Sequence, residues 1–396
     1  MSVSSAAAPH RIAIFLGAAL AFLTTMMGTT LPTPLYPMYQ QTMGFSQLMV
    51  TVIFAVYAAG VIAALLIAGR WSDQLGRRPM LLAGLALSAI SDVVFLQADG
   101  VGALLAGRVL SGLSAGIFTA TATLAVMELA PPGWQRAGTL VATAANMGGL
   151  GLGPMMAGSL AALFAAPMVV PFGAHFVLVL VAVACIWRAP ETAERPARPR
   201  LRVQKPGVPA AVRPVFIPAA IAAFAGFMVC GFYTAASPAF LGQVLGYTHP
   251  ALVGLVAGLV FIASTVGQMV QGRLPETSRL PSGCAVLLAG VLIVAWGMVE
   301  EQLAGFMLGA VVAGIGQGIA FRAGLGAVSA ASTSKDRSAV VSTFFVIAYV
   351  AISLPVVGIG LMSSVASLKT TALTFDLAVA ALCCVSLALL YRRKPA

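Results

Sequence analysis

Gly69-Arg70-Trp71-Ser72-Asp73-Gln74-Leu75-Gly76-Arg77-Arg78 gathers four of this chain's rare charges between two long apolar stretches, 50–68 and 79–96. Each stretch is long enough to cross a bilayer, since about 20 apolar residues in a helix span roughly 30 Å of hydrocarbon. A polar hinge with three arginines between two such spans belongs at a membrane surface, and the inside bias of Lys and Arg makes that surface the cytoplasmic one.

Composition puts the rest of the chain in the same setting. Sixty per cent of residues are hydrophobic and 8% are charged, against about 25% charged in soluble domains. A mean hydropathy of +0.99 over 396 residues leaves no room for a sizeable aqueous domain. The net charge of +11 sits in short loops between apolar spans. It forms no basic face with interleaved aromatics, so no nucleic-acid partner is expected.

The apolar runs give twelve candidate spans, near 12–35, 48–68, 79–97, 103–127, 138–162, 168–187, 215–240, 250–271, 281–299, 303–324, 338–362 and 370–391. Arg11 before an apolar run has the look of a signal peptide. The run is long, lacks a clear small-x-small cleavage site and leads into further spans, so it reads as a retained helix. With 69–78 inside, all but three of the 22 lysines and arginines fall inside, including Arg11, Arg136, Arg188, Arg200, Arg202, Lys205, Arg337, Arg392, Arg393 and Lys394. The exceptions are Lys369 in an outer loop and Arg108 and Arg322 within spans. Both termini are therefore expected in the cytoplasm, with the chain in a bacterial-type inner membrane.

The segment 188–213 is the one long break, rich in Pro and Arg (Arg195-Pro196-Ala197-Arg198-Pro199-Arg200). It reads as an extended linker at 189–213 between six-span units at 1–188 and 214–396. Such a linker suits anionic lipid as well as a plain inside-positive anchor. The two units look like repeats. Arg136 precedes Pro154 by the interval that separates Arg337 from Pro355, and Gly112 and Gly116 correspond to Gly314 and Gly318. Gly69-Arg70 with Asp73, Arg77 and Pro79 has a worn copy in Gly272-Arg273 with Glu276, Arg279 and Pro281. Repeated halves are a transporter architecture, with the substrate near the midplane between them.

Gly69-x-x-x-Asp73-x-x-Gly76-Arg77-Arg78 resembles the loop signature between the second and third helices of the major facilitator superfamily. Arg108-Val109-Leu110-Ser111-Gly112 with Ala115-Gly116 is similar to that family's fourth-helix motif. Gly149-Leu150-Gly151-Leu152-Gly153-Pro154-Met155-Met156-Ala157-Gly158 resembles the fifth-helix motif of its proton-coupled exporters. The resemblance implies an all-α polytopic membrane protein of twelve transmembrane helices in two pseudo-symmetric six-helix bundles. It points to the twelve-helix drug:proton antiporter branch, the multidrug and tetracycline-type exporters.

Each motif has a chemistry of its own. Gly69 and Gly76 permit a tight turn, and Asp73 is placed to cap a helix start and pair with a nearby arginine at the interface. Glu128 and Arg136 extend this into a latch closing the inner face; the alternative is a solvated loop that serves topology alone. Gly149, Gly153, Pro154 and Gly158 give span 5 a close-packing, bendable face, and by resemblance a seal of export type. Arg108 lies in hydrocarbon, where a charge costs about 2.5–3.5 kcal/mol on insertion scales; a functional role stands beside snorkelling towards the outer leaflet. Asp92, at similar depth on the adjacent span, is the expected partner of Arg108, as a proton-coupling carboxylate or as half of a structural ion pair. Asp376 is a weaker candidate, expected near the headgroups. His10, His175 and His249 lie before span 1, near an outer end and in a loop, and offer little. Span 1 holds only Thr24, Thr25, Thr29 and Thr30 as polar groups, which departs from exporters carrying an acid there and keeps uniport open.

Arg108, Tyr57, Asn146, Tyr233, Gln268, Gln317 and Tyr349 are candidate cavity residues, with interhelical hydrogen bonding as the alternative for several. The five cysteines lack metal spacing, and no metal or cofactor is expected. Three functions compete: proton-driven export of small amphipathic molecules, import or facilitated exchange of a polar metabolite such as a sugar or amino acid, and an intramembrane enzyme or sensor. No nucleotide loop, metal cluster or nucleophile–base set appears, which counts against the third. The expected partners are a small-molecule substrate, protons and the bilayer, with the chain working as a monomer.

Overall fold

The computed structural model describes residues 9–199, 201 and 203–392; Arg200, Arg202, Arg393 and Lys394 of the inward basic count lie outside them. The described chain is helical. Helices α1 (Pro9–Thr30), α2 (Gln47–Ala68), α3 (Arg77–Leu96), α4 (Val101–Glu128), α5 (Gln135–Leu163) and α6 (Val170–Arg188) precede the linker. Helices α7 (Arg213–Gly231), α8 (Pro250–Val270), α9 (Glu276–Val299), α10 (Leu303–Ala330), α11 (Arg337–Met362) and α12 (Leu368–Tyr391) follow it. Eleven helical segments are long and apolar enough to cross a membrane, so this is a multi-pass membrane protein. The expected fifth span, α5, is a helix of 29 residues but is not among the eleven; its glycines, threonines and asparagine dilute its apolar character.

The two sets of six helices pack alike. α1 lies against α4, α5 and α6, and α7 against α10, α11 and α12. α4 packs on α2 and α3 as α10 packs on α8 and α9. Two pseudo-symmetric bundles result. They meet along α5 with α8 and along α2 with α11, a pairing that the repeat symmetry exchanges.

Between lipid-embedded helices close packing replaces the hydrophobic effect as the driving force, so small residues mark the interfaces. The fifth-helix motif divides its glycines between two neighbours. Gly149 and Gly153 face the carbonyls of Leu23 and Met27 on α1, whereas Gly151 and Gly158 face Gly258 and Pro250 on α8. Pro154 has no N–H, so the carbonyl of Leu150 one turn earlier loses its helical partner. The Thr30 hydroxyl on α1 donates to that carbonyl at 2.7 Å.

The expected seventh span, 215–240, lies within one continuous helical stretch, Arg213–Gln243, that widens partway along. After α7 a wide π turn, Phe232–Ala236, leads into a short helix, Ser237–Gln243. Pro238 explains the widening, since a helix that meets a proline must release a carbonyl. Tyr233 in this turn donates its hydroxyl to the Phe306 carbonyl of α10 at 2.9 Å.

At the end opposite residues 69–78 the bundles touch closely: Gln47 donates to the Ala235 carbonyl at 3.2 Å, and Gly360 of α11 lies against Leu48 and Thr51 of α2. Towards the basic end Arg322 of α10 donates to Thr143 of α5 at 3.4 Å, and at that end the linker also bridges the bundles. The Gln204 N–H donates to Leu66 at the end of α2 at 2.7 Å, and its side-chain amide donates to Ser338 of α11 at 2.8 Å.

A Cβ at position 158 would collide with the Pro250 backbone, while one at 148 would meet nothing within 4 Å. Gly158→Ala is therefore expected to destabilise by about 1–3 kcal/mol, read as a lower Tm in detergent, with Gly148→Ala as the unchanged control. Equal Tm values for the two variants would contradict this packing.

Candidate functional site

The signature loop builds a polar network at the basic end. Ser72–Leu75 forms a single helical turn, and Gly76 follows with φ +104°, a left-handed conformation that only glycine adopts without strain. This reversal starts α3 at Arg77. Its guanidinium donates to Asp73, to Ser72 at 2.8 Å and to the Glu128 carboxylate at 3.2 and 3.4 Å. Sequence reasoning passed over Glu191, just beyond α6. Its carboxylate accepts the backbone N–H groups of Arg77 at 2.7 Å and Arg78 at 3.3 Å, where the positive end of the α3 dipole favours an anion. Glu191 also pairs with Arg195 at 2.7 Å, Thr192 donates to Glu128, and Arg78 lies 5.4 Å above the Trp187 ring. Glu191 and Glu194, two acids in an otherwise basic segment, were the available signal.

Every one of these partners belongs to the first bundle or to the segment after α6. Arg136 is exposed and apart from the network. In the worn copy, Arg279 donates to the Leu274 carbonyl at 3.0 Å, and no ion pair joins Arg273, Glu276 or Arg279 among the described residues.

Inside the first bundle the expected pairing of Asp92 with Arg108 is replaced by another. Asp92 faces His175 of α6: Nδ1 lies 2.8 and 3.0 Å from the two carboxylate oxygens. The imidazole Nε2 lies 2.8 Å from the Thr24 carbonyl of α1. His175 is fully buried and Asp92 is 3% exposed. Arg108 turns the other way. Its guanidinium donates to the Thr29 carbonyl and sits over the rings of Tyr57 at 4.4 Å and Phe54 at 5.6 Å. Cation–π contact thus supplies what a carboxylate would have. At 1% exposure Arg108 does not snorkel to a surface. Asp376 is buried in α12 beside Tyr233, away from the expected headgroup position.

Between the bundles at mid-depth is an enclosed cavity of about 30 Å³. Its walls include Tyr57, Asn146 and Tyr349, three of the seven expected residues, with Thr29, Phe321 and Phe345. Thr119 and Tyr349 bring their hydroxyls to 3.5 Å across the two bundles. The other four expected residues lie elsewhere, Arg108 among them, set against the Tyr57 ring outside the lining. Tyr233 is packed inside the second bundle, and Gln268 and Gln317 bond through Ser264 between α8 and α10. The volume holds a water or two, whereas drug-sized ligands need about 300–1,000 Å³. A substrate fits only when the bundles move apart.

Comparison with known proteins agrees with this architecture. A family model described as Major Facilitator Superfamily matches residues 18–354. The chain belongs to that superfamily, a family of transporters rather than enzymes. It is 35% identical over 80 residues to the Multidrug resistance protein MdtL of Klebsiella pneumoniae. Over 92 residues it is 39% identical to the Major facilitator superfamily multidrug transporter mfsC of Aspergillus fumigatus. These matches span about a fifth of this chain and of the curated relatives, 20% of MdtL and 18% of mfsC. Among solved structures, a bacterial homolog of the human lysosomal transporter Spinster aligns over 98% of this chain and 97% of its own, with TM-score 0.71 and 16% identity. The human organic anion transporter MFSD10 aligns over 96% and 100%, with TM-score 0.68 and 20% identity. At such identities these two show the fold.

Burial pushes the Glu191 carboxyl up, but Arg195 and the N–H groups of Ala193, Arg77 and Arg78 outweigh it and hold the group below its ordinary value. The stability it contributes is complete above the unfolded value, about 4.3. It is lost as the pH falls from there through the lower folded value. Hydrogen exchange of residues 189–199 is expected to accelerate across that window in the wild type, and to be fast already at neutral pH in Glu191→Gln. Equal exchange in both proteins at neutral pH would contradict this role.

Proposed function

We propose that this transporter exports small amphipathic molecules in exchange for protons. In this reading it works as a monomer in a bacterial-type inner membrane, with its basic end and both termini facing the cytoplasm. The observation that carries the reading is the wall of the midplane cavity. It combines the aromatic faces of Phe54, Tyr57, Phe227 and Tyr349 with hydroxyls and the Asn146 amide, and among the described residues no carboxylate, lysine or arginine lines it. Such a wall suits a largely apolar solute with a few polar groups. A sugar needs many converging hydrogen-bond partners, and an amino acid needs a charge at each end; neither set is present. The names of the multidrug relatives support the same direction.

Transport then follows from the two contacts between bundles. The α2–α11 and α5–α8 contacts close the cavity at the end opposite the basic loops. Rocking about the midplane opens that end, and the Arg77–Asp73–Glu128 network of the first bundle is the surface available to meet the second bundle when the basic end closes. Arg108 holds Tyr57 in place from behind, and so shapes the cavity without lining it.

Proteoliposomes with an imposed pH gradient test this reading against a library of amphiphiles, sugars and amino acids. Gradient-driven movement of amphiphiles is expected, with Tyr349→Ala and Phe321→Ala each weakening apparent affinity by about two- to tenfold, the worth of one aromatic contact. Movement of sugars or amino acids with amphiphiles inert would overturn it.

A further inference from the structure

The geometry around His175 carries a more specific statement. A backbone carbonyl only accepts hydrogen bonds, so at 2.8 Å from Thr24 the imidazole Nε2 must hold a proton. Nδ1, at 2.8 and 3.0 Å from the Asp92 oxygens, then needs a second proton between the two groups. That proton sits on Nδ1, giving imidazolium and carboxylate, or on the carboxyl, giving two neutral groups. The pair is neutral overall in both forms. Without the proton, a lone pair would face a carboxylate and a net negative charge would remain in the hydrocarbon, the state a membrane interior disfavours.

We propose that Asp92 and His175 together bind the transported proton: one proton bridges them while α3 and α6 are docked on α1, and it leaves only when they separate. The inference rests on the reading of proton-coupled export and supplies its proton site. The surroundings are built for it. Gly28 of α1 leaves the room the imidazole occupies, since a Cβ there would run into the ring. Phe95 and Phe172, one turn towards the end opposite the basic loops, stack at 4.5 Å and cover the pair. Ser91, beside Asp92, donates to the Gly107 carbonyl at 2.8 Å and fixes α3 against α4.

Other charged or titratable groups around the pair are few. α1 has none from Phe15 to Thr30, and α3 has only Asp92 beyond its first turn. α6 adds Cys185 and Arg188 near its far end, α4 contributes Arg108 and, at the basic end, Glu128, and α5 has Arg136 at the basic end. Tyr36 and Tyr39 lie in the same apolar cluster as Phe95 and Phe172, and phenols stay neutral near pH 7. Arg108 donates to Thr29, on the same helix that receives His175 at Thr24. Proton loss at the pair and movement of α1 are therefore linked. α1 in turn packs on α5, one of the helices that joins the bundles.

The chain has three histidines, so His10→Gln with His249→Gln leaves His175 as the single imidazole for nitrogen NMR of isotope-labelled protein. A protonated Nε2 and a strongly hydrogen-bonded Nδ1 are expected near neutral pH, with Nδ1 moving to the free-acceptor position in Asp92→Ala. An unchanged Nδ1 resonance would overturn the site. In proteoliposomes, with ethidium as the probe, one proton exchanged per molecule turns a gradient of one pH unit into about tenfold accumulation. Asp92→Asn and His175→Gln are expected to bring that ratio to about one. Ethidium exchange at equal pH should persist in both, which identifies a folded carrier. The swapped pair, Asp92→His with His175→Asp, is expected to recover part of the accumulation. Full accumulation in the single variants would overturn this site and leave proton-coupled export standing. No accumulation in the wild type would overturn both.

Discussion

The first helix receives two buried polar side chains that it does not itself provide. In hydrocarbon every polar group needs a partner inside the protein, and α1 offers none of its own from Phe15 to Thr30 beyond four threonines. Its carbonyls at Thr24 and Thr29 accept from His175 of α6 and Arg108 of α4. Its Thr30 hydroxyl bonds the carbonyl that Pro154 frees in α5. Three helices are thereby tied to one, and α5 carries that restraint to the second bundle. The order of the first bundle follows from these few bonds more than from apolar contact, because lipid tails are as good a solvent for leucine as another helix is.

Arg108 illustrates how a single cation is kept without an anion. Two aromatic faces and a carbonyl surround it, and its Nε has no partner among the described residues. Had Asp92 taken it, as equal depth suggested, His175 would have been left with a carbonyl alone. The observed arrangement satisfies the carboxylate with a group that can share a proton, which an arginine cannot do.

Much of this was legible beforehand. The apolar runs, the basic loops and the worn repeat carried the bundle architecture, because length and charge asymmetry are properties of single segments. The cavity was partly legible: Tyr57, Asn146 and Tyr349 reach it, whereas Arg108, Tyr233, Gln268 and Gln317 turn to neighbours in their own bundle. Which face of a helix points inward is decided by contacts that a nearly uniformly apolar sequence does not encode. The Asp92–His175 pair was missed although its depths were readable. Asp92 is four residues from the end of α3 and His175 five from the start of α6, about 6 and 7.5 Å at 1.5 Å per residue. What the sequence lacked was the adjacency of α3 and α6, separated by 83 positions. The linker was readable as extended but not as docked, since Gln204 bonds both bundles through one backbone and one side-chain amide.

The central claim is that two bundles rock about a midplane cavity under the control of a buried proton. Spin labels at Arg136 and Lys335 would report the basic end, and labels at Gln41 and Tyr247 the opposite end; all four positions are exposed. Electron–electron distances measured at acidic and alkaline pH test the claim most directly. The account expects one distance to lengthen as the other shortens, with that exchange abolished by Asp92→Asn. Two distances that stay fixed across pH, or that change together, would contradict it.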